Sequence, residues 1–214
     1  MNLLPVDIMA ACAAVLAVWM CGVSRIQSGL WGLALQTLLL AAITATIGIE
    51  RHIWHYLILA GVVLAVKAIA IPWYLSWATR RLDIRRDAGL LLNPTWALLC
   101  GCSVLATGYF LAPQIAVLEM QHSGAAGMSM AILLIGMLLM ITRRLALSQI
   151  IGFLVLENGI FLYGLTQTQG MPLMVEMGVI FDVLVGVLIA GLVIFRLNRS
   201  FEHIDVTQLR GLRH

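Results

Sequence analysis

Seven apolar runs, each close to the length of a membrane-crossing helix, take up most of the 214 residues: about 4–23, 30–49, 53–77, 93–111, 124–142, 145–165 and 174–195. A hydrocarbon layer about 30 Å thick holds no water to satisfy backbone N–H and C=O groups, so a chain crosses it as helix, at about 20 residues per crossing. The runs therefore predict an all-α, polytopic membrane protein with seven transmembrane helices and short connections. A composition of 62% hydrophobic and 11% charged residues excludes an ordinary water-soluble domain, and the length leaves no room for a separate one. The N-terminal Met1-Asn2-Leu3-Leu4-Pro5-Val6-Asp7 lacks the basic segment of a secretory signal, and no small-residue cleavage site follows it, so the first run is read as a retained helix.

Charge placement tests the count. With seven spans one face collects Arg25, Arg80, Arg81, Arg85, Arg86, Arg143, Arg144, Arg196, Arg199, Arg210 and Arg213, and the other only Arg51. By the positive-inside rule the richer face is cytoplasmic, which predicts the N-terminus outside and the C-terminus in the cytoplasm. The net charge of +3 is thus spread as topology signals between apolar runs and does not form a patch for nucleic acid. Cys12, Cys21, Cys100 and Cys102 lie in or beside apolar runs without a C-x-x-C pair, as small buried hydrophobes do, and no cofactor is expected in this chain.

Lys67, Glu157 and Asp182 break the apolar pattern. A charged residue at a bilayer centre costs roughly 2.5–3.5 kcal/mol on insertion scales, so residues kept there generally serve ion or proton handling. Lys67 precedes Arg80 by 13 residues, Glu157 follows Arg144 by 13, and Asp182 precedes Arg196 by 14. At about 1.5 Å per residue all three lie roughly 20 Å from the cytoplasmic edge, in one layer at or slightly beyond the midplane. Two readings stand: a proton path in which the ammonium favours an ionised carboxylate while burial disfavours it, or a static ion pair that fixes packing. Gly178, Gly186 and Ala190 share a helical face with Asp182 and suit close approach of another helix. Gln149 and Glu157 share a face of the sixth helix, and Glu176 lies near the outer end of the seventh, so both are possible members of a path. Pro72 removes the hydrogen bond that would reach the carbonyl of Ala68, predicting a bend beside Lys67. Trp54, Tyr56, Trp73, Tyr74 and Trp77, at the two ends of the third span, are expected as interfacial anchors.

The segment from Arg143-Arg144-Leu145 through Ser148-Gln149-Ile150-Ile151-Gly152-Phe153-Leu154-Val155-Leu156-Glu157-Asn158-Gly159 resembles subunit K of complex I and its antiporter relatives, over about the last 90 residues. That divides the chain into a four-helix region, 1–122, and a subunit-K-like three-helix region with a cytoplasmic tail, 123–214. Asp182, with Gly186 following, takes the place of the second carboxylate of that family. The place of its first glutamate corresponds to Leu154, so Glu157 stands one helical turn further on. The whole chain is closer to the component E family of hydrogenase-4, membrane subunits of formate hydrogenlyase-type group 4 nickel–iron hydrogenases. The residues that carry this resemblance are Lys67 with Pro72, Glu157-Asn158-Gly159, Val175-Glu176-Met177-Gly178 with Asp182, and Ile204-Asp205-Val206.

The resemblance implies a multi-pass subunit of the bacterial cytoplasmic (inner) membrane with no active site of its own. The nickel–iron centre and iron–sulfur clusters would sit in partner subunits, and antiporter-like membrane subunits would be neighbours in the bilayer. Glu157 and Asp182 would carry protons, with Lys67 tuning them or relaying a proton. The rival expectations are a subunit of a multisubunit cation/proton antiporter and a purely structural assembly subunit.

Overall fold

The computed structural model of the chain describes residues 5–81, 91–115 and 123–167, together with positions 178, 187 and 191. Among these residues the protein is all-helical and contains no strand. In chain order the elements are α1 (Pro5–Gly22), α2 (Ile26–Glu50), α3 (Trp54–Val62), a π-helical segment (Val63–Ala70), α4 (Ile71–Arg81), α5 (Pro94–Ile115), α6 (Ser123–Thr142) and α7 (Ala146–Gln167). The segments α3, π and α4 run on as one continuous third span. Six helices among the described residues are long and apolar enough to cross a membrane. The predicted seventh span, 174–195, lies outside the described residues except for Gly178, Val187 and Gly191, which are helical.

The helices pack by close backbone approach, because in lipid no hydrophobic force drives one apolar helix against another. The tightest contact joins α6 and α7 through reciprocal glycines. Gly136 of α6 lies against the backbone of Leu156, and Gly159 of α7 lies against Leu133. A Cβ at either position would overlap the facing helix. Gly108 of α5 meets Ala131 of α6 in the same manner, with 2.7 Å from an added Cβ to the Ala131 Cα. α1 packs on α2, α5 and α6, while α2 packs on α1, on the third span and on α7. The interior is therefore built from α1, α2, α6 and α7, with the third span and α5 at the periphery. Trp54, Trp73 and Trp96 are largely exposed on those two outer spans, as expected of side chains facing lipid or its interface.

The helix ends are tied by side chains from other helices. Asp7 of α1 accepts the backbone N–H of Ala125 at 2.8 Å, acting on the first turn of α6 as an N-cap from a different helix. Arg143, placed by its sequence position among the topology arginines, is buried; its Nη2 donates to the carbonyls of Met20 (3.0 Å) and Cys21 (3.2 Å) in the last turn of α1. A cation there adds donors to carbonyls at the helix end, of which that of Met20 also accepts the Val23 N–H at 3.3 Å, and lies at the negative end of the helix dipole. Arg144 beside it is exposed. Between α2 and α3, His52 takes the left-handed conformation at φ 54°, while the N–H groups of His52 and Ile53 return to the carbonyls of Ile49 and Gly48. This is a Schellman turn with histidine where glycine is usual. The turn folds Tyr56 inward against Gly48, so Tyr56 is buried and is not an interfacial anchor.

Candidate functional site

The third span does not simply bend at Pro72. It rewinds into π geometry over the eight residues Val63–Ala70 and returns to α geometry at Ile71, whose N–H donates to the carbonyl of Val66. Pro72 has no N–H to extend either register, so the changeover falls immediately before it. A π segment widens the turn and shifts the helix face, and such segments are frequent at functional sites. Lys67 lies within this segment and is turned inward although the span is peripheral. Its neighbours Leu64, Val66 and Ile69 are exposed, whereas Lys67 is 8% exposed.

Lys67 Nζ lies 2.7 Å from Glu157 Oε1, an ion pair joining the third span to α7. The Glu157 side chain is 3% exposed. The two charges predicted to share a depth are therefore in contact. Removing one member of such a buried pair typically costs about 3–5 kcal/mol. Gly178 faces the same pair: a Cβ built on it would lie 3.7 Å from Glu157 Oε1, so a side chain at this position of the predicted last span would be in van der Waals contact with the carboxylate. Asp182 and Glu176 lie outside the described residues. Gln149 is exposed at the start of α7, where its Nε2 donates to the carbonyl of Arg143 at 3.0 Å.

Beside the charged pair, residue 158 opens a neutral cluster. Asn158 Nδ2 donates to Gln36 Oε1 (3.1 Å) and to Thr37 Oγ1 (3.2 Å) on α2. Gln36 Nε2 donates in turn to the carbonyl of Ala13 on α1 at 3.2 Å, and Thr37 Oγ1 donates to its own helix at Leu33, 2.9 Å away. All three side chains are buried. Polar groups thus run across the bundle from α1 through α2 and α7 to the third span. Asn158 Oδ1 is buried and has no hydrogen-bond partner among the described residues. A buried acceptor left in that state costs about 1–3 kcal/mol.

Sequence reasoning missed Gln36 and Thr37. Their signal is an adjacent polar pair inside an apolar run, 11 and 12 residues after Arg25. Uncharged side chains carry a smaller insertion penalty than Lys67 or Glu157, so they stand out less. Among the described residues no three His, Cys, Asp or Glu side chains gather as metal ligands would.

The chain shares 35% identity over 183 residues with the uncharacterized protein Rv0085 of Mycobacterium tuberculosis, covering 85% of this chain and 83% of that protein. The chain belongs to the family of Rv0085. It is also 25% identical over 190 residues to hydrogenase-4 component E of Escherichia coli K12, with 88% of this chain and 87% of that protein aligned. The same identity and coverage hold for the component E proteins of Escherichia coli O157:H7 and Shigella flexneri. The chain is thus a distant homologue of hydrogenase-4 component E over most of its length. No protein-family model matches the chain, and no solved structure matches it.

Proposed function

We propose that this chain is a membrane-arm subunit of an energy-converting nickel–iron hydrogenase complex of the formate hydrogenlyase type. In this reading it joins antiporter-like subunits to the rest of the arm in the cytoplasmic membrane and contributes to a proton path. Distant homology to hydrogenase-4 component E over 88% of the chain supports the hydrogenase part. The observation that carries the proton path is the buried contact between Lys67 and Glu157, 2.7 Å long, inside a π segment. A carboxylate that exchanges a proton beside a lysine alternates between an ion pair and a neutral acid next to an ammonium, and a helix with an irregular register allows the small separation this needs. Asp182 would be the next carrier, reached past Gly178, with Glu176 and Gln149 as outer and cytoplasmic members of the route. A subunit-K-like character of 123–214 would fit the same role.

Extraction of the chain from membranes with its bound subunits tests the assignment. Nickel, iron and hydrogenase activity should travel with it; sodium-linked transport without them would favour the antiporter reading instead. In the assembled complex, Glu157→Gln, Asp182→Asn and Lys67→Met should each impair proton translocation in vesicles. Wild-type translocation in all three variants would overturn the path.

A further inference from the structure

The amide orientations around Asn158 follow from one backbone group. The carbonyl of Ala13 only accepts, so Gln36 presents Nε2 to it and Oε1 to Asn158. Asn158 answers with Nδ2, which also reaches Thr37, and the Thr37 proton is already given to Leu33. Flipping the Asn158 amide would set its oxygen against Gln36 Oε1, acceptor against acceptor. Asn158 Oδ1 is thereby turned away from α2, on a residue 1% exposed, with no donor among the described residues. Lipid supplies no donors, and buried polar atoms in this condition are commonly satisfied by ordered water.

We propose that Asn158 Oδ1 is an internal water site, and that its water links the Gln36–Thr37–Asn158 cluster to Glu157, giving that carboxylate a proton-exchange partner besides Lys67. Water fits the chemistry: one hydrogen satisfies Asn158 Oδ1 and the other remains free for a carboxylate oxygen. Glu157 is the preceding residue in the chain, so the two side chains leave the same turn of α7. A metal cation fits poorly, since hard cations collect about six or more oxygens and the Lys67 ammonium already occupies the neighbouring carboxylate. The link to proton exchange rests on the reading of Glu157 given above, whereas the water itself rests only on the unpartnered oxygen.

Electron cryo-microscopy of the complex in lipid nanodiscs, at a resolution that shows ordered water, should reveal density about 2.7–3.1 Å from Asn158 Oδ1. Absence of density there, or a protein donor in its place, overturns the water site. Infrared difference spectra between acid and alkaline forms should contain a water O–H stretch that moves in heavy-oxygen water, is lost in Asn158→Ala and persists in Asn158→Ser. Persistence in Asn158→Ala also overturns it. Proton translocation should fall about tenfold or more in Asn158→Ala. Normal translocation in Asn158→Ala alongside impaired translocation in Glu157→Gln removes the link but leaves the Glu157 path. Normal translocation in Glu157→Gln with the water density still present removes the path but leaves the water site.

Discussion

Lys67 and Glu157 meet as opposite charges 2.7 Å apart between the third span and α7, whereas Gln36, Thr37 and Asn158 meet as neutral groups 3.1–3.2 Å apart between α2 and α7. Both sets are buried in the same bundle, and adjacent residues of α7 serve one each. The ion pair brings two opposite charges together in one short contact. The neutral cluster spreads smaller contributions over several hydrogen bonds, each anchored to backbone of α1 or α2. A charged pair therefore suits a site that changes state, and a neutral cluster suits the fixed frame that holds α7 in register beside it.

The largest expected effect tests the charged half of that contrast. Lys67→Met should destabilise the purified chain by about 3–5 kcal/mol, read as a lowered thermal midpoint in detergent, and Lys67→Met with Glu157→Met should recover most of the loss. A double variant as unstable as the single would mean that the two residues do not act as a pair. Asn158→Leu should cost less, about 1–3 kcal/mol, by leaving Gln36 Oε1 buried without its donor; a loss as large as that of Lys67→Met would erase the distinction between the regions. Thr37→Val removes one of two acceptors for Asn158 Nδ2 and should cost about 1 kcal/mol in the same assay. The smallest expected effect is that of salt. Screening acts weakly on buried pairs, so the penalty of Lys67→Met should stay nearly constant from low ionic strength to about 1 M, where the Debye length is about 3 Å. A penalty that disappears in high salt would place the pair in contact with solvent.

Much of the helical frame was legible because the membrane interior imposes it. Predicted runs such as 4–23, 124–142 and 145–165 correspond within one or two residues to α1, α6 and α7, and the run 53–77 continues as helix to Arg81. Lys67 and Glu157 were visible as exceptions because charge in an apolar run is costly, and their spacing from arginines indicated a common depth. Their contact was not legible. It depends on the rotation of each helix, and the third span is rotated by a π segment that no periodicity in VLAVKAIA announces. Arg143 shows the complementary error: its position after an apolar run marks a helix boundary, but only the approach of α1 turns it into a buried cap.

The sequence alone determined that this chain forms apolar helices with arginine-rich connections, and that a lysine and a glutamate must lie at membrane depth. Length and transfer energy act residue by residue, so both follow from local composition. Tertiary structure decided which polar groups meet. Gly136 and Gly159 bring α6 and α7 to backbone contact, the π segment turns Lys67 towards Glu157, and Ala13 orients Gln36 so that Asn158 points one oxygen away from its partners. Each of these depends on the distance and rotation between helices far apart in the chain, which apolar faces of nearly uniform composition leave unspecified.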